Sequence, residues 1–269
     1  VIITRKKSIC IAVVLAMVLI PVPLQAGDVE WVTDADGFWH ESGNWSSDPL
    51  LPGSGDDVTI DRAGSDITVT HSQDATSIGN LLCTEDLTVT GGSITVSGAG
   101  HISGAITIQN SASFKADGAD LLAGGATTLD GGKLYAIGGG VLSLPNAGAY
   151  VNPSTDAWSH GWLKADGADS ALDLSNIVSL AGSTGSFSVL NIQGLNGGYV
   201  DLSSVSAYNT GGVQVLAEGS GGVVDLSTLT SMTPGPVFGV TNSITARNGG
   251  AVLMGNLAAL DGVNLDIDG

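Results

Sequence analysis

The 269-residue sequence carries 26 acidic residues against 8 basic ones, a formal net charge of −18, and only 13% of it is charged. A field of that sign repels nucleic acid and anionic lipid, so neither is an expected partner. The 40 glycines, about twice the ordinary usage of roughly 7%, are interleaved regularly with Val, Ile and Leu, which is not how disordered tracts are written.

The chain begins VIITRKKSICIAVVLAMVLIPVPLQAGD. Arg5, Lys6 and Lys7 form a basic start, an apolar run extends from Ile9 to Ile20, and Pro21-Val22-Pro23 leads to a small-residue end at Ala26. That layout predicts a secretory signal peptide over residues 1–26, cut after Ala26. The apolar run is short for a span of roughly 20 residues, so the mature chain is not expected to insert into a membrane. Cys10 lies at the start of the run and not after it, which argues against lipoprotein processing. Val1 in place of Met suggests an alternative start codon and a bacterial source. The expected location is therefore extracellular or at the cell surface. Removing residues 1–26 takes three basic residues and no acidic one, leaving 5 against 26, a net charge of −21. Cys83 is then the only cysteine, so no internal disulfide forms. A chain of this length can bury a core without one.

Residues 27–57 differ in composition from the rest of the chain. The stretch WVTDADGFWHESGNWSSDPLLPGSGDDVTID (31–61) holds Trp31, Trp39 and Trp45, then Pro-Gly, then Asp56-Asp57-Val58-x-Ile60. The pattern resembles a motif of secreted bacterial surface proteins with glycine-rich, autotransporter-like β-strand repeats, including planctomycete-type exported β-helix proteins. That resemblance implies an exported architecture of stacked strands and implies no activity. Two readings of the tryptophans stay open: a cap over the open apolar end of a repeat array, or a stacking platform for sugars. Asp34 and Asp36 open like an acidic calcium loop, but Trp45 stands at the twelfth position, where a Glu ligand belongs.

From residue 58 to 269 the chain is repetitive. DITVT (66–70), DLTVT (86–90), SITVSG (93–98) and AITIQ (105–109) alternate with period two, the strand signal. Further on, ALDLSNI (171–177), GGYVDLSSV (197–205) and GGVVDLSTL (221–229) repeat one phrase. Leu174, Leu202, Leu226 and Met254 mark it at steps of 28, 24 and 28 residues. KADGAD occurs at 115–120 and again 49 residues on, at 164–169. Each repeat reads as two short strands joined at a glycine-rich corner. A period of 20–50 residues with so few strands per repeat predicts an all-β fold, a parallel β-helix (β-solenoid), with an N-terminal aromatic cap segment and about eight coils of 24–28 residues. A leucine-rich-repeat-like solenoid is the alternative. In VVDLSTL, Val224, Leu226 and Leu229 should point inward, with Asp225 and Ser227 outward. The terminal NLDIDG (264–269) reads as a strand with Leu265 and Ile267 inward. The repeats are expected to continue beyond Gly269.

Chemistry is sparse. His40, His71, His101 and His160 are isolated in sequence, and Arg62, Lys115, Lys133, Lys164 and Arg247 fall at what read as unrelated coil positions. No nucleophile elbow, zincin motif or cysteine-based metal spacing occurs. No catalytic residue, cofactor or metal ligand is assigned, and calcium is the one cofactor the acid content leaves open. NPSTDAWSHGW (152–162) interrupts the repeat rhythm, and loops on a rigid scaffold are where binding residues gather. Trp158, Trp162, Asp156 and His160 are therefore the candidate glycan contacts. The expected function is a non-catalytic structural or adhesive stalk, its partner an extracellular glycan or other cell-surface component. The alternative is a carbohydrate-binding or polysaccharide-degrading β-helix.

Overall fold

Strands of two to six residues, most with alternate side chains buried, are joined by corners that in the early coils are too short for anything but a sharp change of direction. Leu81–Cys83, Asp86–Val89 and Ser93–Val96 make one such circuit before Gly100–Ile102 begins the next. The computed structural model describes residues 26–268, and the predicted signal peptide lies outside the described residues except for Ala26. Equivalent strands of successive circuits pair in parallel: Leu81 faces Gly100, Leu87 faces Ile106, and Ile94 faces Phe114.

Three sheets result. The first has ten strands, running from Asp28–Glu30 to Ala251–Leu253. The second has seven, from Gly37–Phe38 to Ser179–Ala181, and its face is carried on by a separate three-stranded ladder of Ala207–Tyr208, Ser231–Met232 and Ala259–Leu260. The third has nine, from Ala75–Ile78 to Asn264–Ile267. Among the described residues there is no α-helix, only a 3₁₀ turn at Ser42–Asn44. The fold is a parallel β-helix, and the leucine-rich-repeat alternative lacks its helical or 3₁₀ convex side.

Two details of the expected architecture are corrected. A coil has three strands, not two. The number and length of coils also differ: Val29, Val58, Leu81, Gly100, Leu121, Leu142, Leu172, Val200, Val224 and Val252 form one file, at steps of 29, 23, 19, 21, 21, 30, 28, 24 and 28 residues. The early coils are shorter than the repeated phrase suggests because their corners shrink to two or three residues.

The repeated phrase has a local explanation. The amides of Leu174, Leu202 and Leu226 donate to the carbonyls of Asp201, Asp225 and Leu253 in the next coil at 3.1, 3.0 and 2.9 Å. The three leucines are thus in line and essentially unexposed, and Met254 packs against the same core. Burying such a side chain contributes roughly 1.5–3 kcal/mol. The carboxylates of Asp173, Asp201 and Asp225 each accept the amide two residues on, from Ser175, Ser203 and Ser227, at 3.2, 3.0 and 2.8 Å. This Asx turn bends the chain out of the first sheet. The amides of Ile177, Val205 and Leu229 then close a turn on the preceding leucines and bring a second apolar side chain inward. Asp-Leu-Ser is therefore a corner signal, with its aspartates stacked outward as expected.

At the N-terminal end Trp31, Trp39 and Trp45 are each 1% exposed, which leaves no ring face for a sugar. Trp45 packs edge-on to Trp31 and Trp39 at 5.1 and 4.8 Å and donates its indole N–H to the Trp39 carbonyl at 2.7 Å. Val29 faces Val58 and Gly37 faces Val69, so this segment is stitched to the first coil. Asp34 pairs with Arg62, and Asp36 accepts the Thr68 amide at 2.7 Å. At the other end Leu265 and Ile267 stand in register with Ile244 and Ala246 but are 52% and 66% exposed, because no later described coil covers them.

Candidate functional site

The corner between the second and third faces turns through the left-handed region in every coil. Its positive-φ residues are Asp74, Gly92, Asn110 with Ser111, and Gly131 in the early coils, and Gly211, Gly239 and Gly262 late. Glycine, Asn and Asp tolerate that conformation. Between these two groups, in adjacent coils, the corner is occupied by Trp158 at φ 65° and Phe187 at φ 59°. A β-carbon in this region costs about 1–2 kcal/mol, and bulky residues are rare there.

The two rings stack at 4.6 Å with their planes 7° apart, close to the rise from one coil to the next. Phe238 packs edge-on to Phe187 at 5.3 Å, and the Phe187 amide donates to the Phe238 carbonyl at 2.7 Å. Trp158 is 65% exposed and Phe238 75%. His160 lies edge-on to Trp158 at 6.2 Å, with its Nδ1 buried and unpartnered.

These aromatics project from three enlarged corners, residues 152–160, 182–189 and 233–242, and the first two are fastened to each other. Ser183 Oγ donates to the Ser154 carbonyl at 2.6 Å, and Ser188 Oγ donates to the Asp156 carbonyl at 3.0 Å while accepting the Ser159 amide at 2.8 Å. The Trp158 amide donates to the Ser186 carbonyl at 3.0 Å. Gly185 permits this approach, since a β-carbon there would lie 1.9 Å from the Asp156 carbonyl oxygen. The loop is thus held in place before any ligand arrives.

Beside the loop lies a cleft of about 490 Å³, lined by Asn110, Ser111, Asp130, Asn152, Pro153, Ser154, Asp156, Ala157 and Ser159. Its side chains are mostly polar and none is basic. Of the residues expected from sequence, Asp156 lies on the cleft wall, and Trp158 and His160 share the loop. Trp162 is not with them. It stands on the outer face of the third sheet, in register between Lys133 and Asn191. Phe187 and Phe238 escaped the sequence reading. The signal for them was present: each is a lone aromatic in a Gly, Ser or Pro-rich loop, GSTGSF and TPGPVFG.

The expectation that the basic residues are scattered is overturned for the three lysines, whereas Arg62 and Arg247 stand apart, paired with Asp34 and Glu218. Lys115, Tyr135 and Lys164 occupy one outward column of the third sheet, and Lys133 and Trp162 the column beside it. The KADGAD repeat reflects this alignment, two coils apart. The Lys115 ammonium lies 5.4 Å from the Tyr135 ring centre, and Lys164 pairs with Asp166 at 2.9 Å. Burial lowers the Lys133 pKa and pushes the Tyr135 phenol up to about 12. Tyr135 is moved away from the range a neutral-pH base requires. Cys83 is buried, and its thiol is likewise pushed up to about 12 by desolvation, which makes it unreactive.

Among the described residues no group of three His, Cys, Asp or Glu is placed to hold a metal ion, and no helix is long and apolar enough to cross a membrane. No family model matches the chain, and no curated protein or solved structure matches it.

Proposed function

We propose that this chain is an exported, non-catalytic β-solenoid that works as a structural or adhesive stalk at the cell surface. The observation that supports this most is the unbroken file from Val29 to Val252, in which every coil is held by parallel backbone hydrogen bonds to the next. Such a stack transmits strain along its axis and keeps corner loops at fixed heights. The net charge of −21 left after removal of residues 1–26 keeps such a rod soluble and separate from its copies. Several of the shifted side chains serve the scaffold: the Asp173 and Asp225 carboxylates hold corners, and burial pushes the phenols of Tyr150 and Tyr208 and the Cys83 thiol away from neutrality.

Two measurements test the reading together. A reporter fused after residue 269 should be exported with residues 1–26 present and retained inside the cell without them. The purified chain should release neither reducing ends nor unsaturated ends from soluble polysaccharides. Retention of the reporter in both forms, or release of either product at an enzymatic rate, contradicts the proposal.

A further inference from the structure

We infer that the aromatic corner formed by Trp158, Phe187 and Phe238, with the cleft beside it, is a binding site for a neutral polysaccharide. Phe187 covers one face of the Trp158 indole, and the side chain is still 65% exposed, so its opposite face and edge are open. The residues flanking it in sequence, Ala157 and Ser159, line the cleft together with Asp156, Asn110 and Asp130. A ligand at this place must present an apolar face to a ring and hydrogen-bonding groups to carboxylates and amides within one short span. A pyranose does this: the C–H bonds of one face meet the negative face of the indole, and its hydroxyls can donate to the carboxylates and accept from the amides.

Other ligand classes fit less well. An apolar peptide side chain would leave the polar cleft walls unsatisfied. A nucleic acid base would stack, but its phosphates meet a strongly acidic chain. A uronic acid would bring its carboxylate to Asp130 and Asp156 with no basic side chain on the cleft wall. The aromatics come from three separate corners along the stack, which favours a chain of linked sugars over a single one. The loop is also preorganised by Ser183 and Ser188, so little ordering opposes binding. Glycine already serves this corner position in neighbouring coils, so placing Trp and Phe there runs against backbone preference, and a surface ligand supplies the reason. The inference is independent of the stalk reading, because binding here requires neither export nor absence of catalysis.

The test uses the purified chain in affinity electrophoresis against a soluble β-glucan, a galactomannan and a xylan, with polygalacturonate as the anionic probe. At least one neutral polymer should retard the chain, and polygalacturonate should not. Trp158→Gly, which keeps the corner conformation and removes the ring, should weaken retardation roughly tenfold or more. Phe238→Ala should weaken it less, and Trp162→Ala should leave it unchanged. A readout that needs no variant is iodide quenching of tryptophan emission: the bound polymer should protect part of it, because Trp31, Trp39 and Trp45 are buried, Trp162 is half-buried on another face and Trp158 is exposed. The inference is overturned if no neutral polymer binds, if Trp158→Gly binds as well as wild type, or if polygalacturonate binds in preference.

Discussion

The early coils and the late coils share one interior and differ in their corners. Between the second and third faces the early coils use two or three residues, as at 72–74, 90–92 and 131–132, whereas the late coils use up to ten, as at 233–242. Between the first and second faces the late coils add the Asp-Leu-Ser turn, absent from the coils before residue 141. The interior file passes through both regions without a break in register. Extra sequence therefore goes outward, leaving the stack unchanged, and the exposed aromatics of the candidate site lie where it has gone. The scaffold is set by inward aliphatics and the surface by corner insertions, so each can be altered without the other.

The sharpest way to break this comparison is in the file itself. Leu202→Ala should cost about 2–5 kcal/mol, while Ser206→Ala, exposed on the same turn, should stay within about 0.5 kcal/mol, both read from denaturant unfolding. Next comes the fastening of the enlarged corners. Gly185→Ala places a β-carbon against the Asp156 carbonyl and should cost about 1–3 kcal/mol. It should also raise protease cleavage within 152–160 and leave the early coils intact.

The corner conformation gives a smaller effect with a distinctive sign. Trp158→Gly should be more stable than Trp158→Ala by about 1 kcal/mol, because both lose the stacking and only alanine keeps the left-handed strain. At Gly211 the order is the same, and alanine is again the destabilising residue. Equal stability of the Gly and Ala variants at 158 would show that the corner is not held in that region.

The smallest effects depend on pH. Burial lowers the His71 pKa. Its Nδ1–H donates to the Gly91 carbonyl and its Nε2 accepts from the Thr76 hydroxyl, each at 3.0 Å, so the neutral ring is the folded form. A folded pKa below the unfolded value, about 6.5, means full stability above that pH and a loss as pH falls through the folded value. At Asp173, burial would raise the pKa, but hydrogen bonds from Ser143 and Ser175 outweigh it. At Asp225, those from Ser227 and Tyr199 do the same. Both carboxyls lie below their ordinary range, so their contribution is present above about pH 4 and is lost below it. The melting temperature should fall in two stages on acidification, and His71→Asn should remove the first.

Much of the scaffold was legible in the sequence because a parallel β-helix repeats its constraints. Every coil must supply aliphatics to the same files, which Leu174, Leu202 and Leu226 display openly. The Asp-Leu-Ser phrase was legible as a recurrence, though its role as an Asx turn needed the positions of the serine amides. The count of strands per coil was not legible, since two-residue corners such as 84–85 leave no visible interruption between strands. Of the site, Trp158, Asp156 and His160 could be picked out because their insertion breaks the rhythm. Phe187 and Phe238 join them only through stacking between coils, and Trp162 departs because strand alternation, not chain proximity, sets its direction. The alignment of Lys115 with Lys164 is a register effect that two unequal coil lengths conceal.

Continuous stacking of the coils underlies every one of these effects, and one distance tests it across both regions. Thr59 and Leu253 lie in a single outward column of the first sheet, eight pairings apart. Nitroxide labels at Thr59→Cys and Leu253→Cys, with the buried Cys83 left unlabelled, should give a narrow distance distribution centred at about 38 Å, from about 4.8 Å per coil. A broad distribution, or a centre far from that value, would contradict the continuous stack.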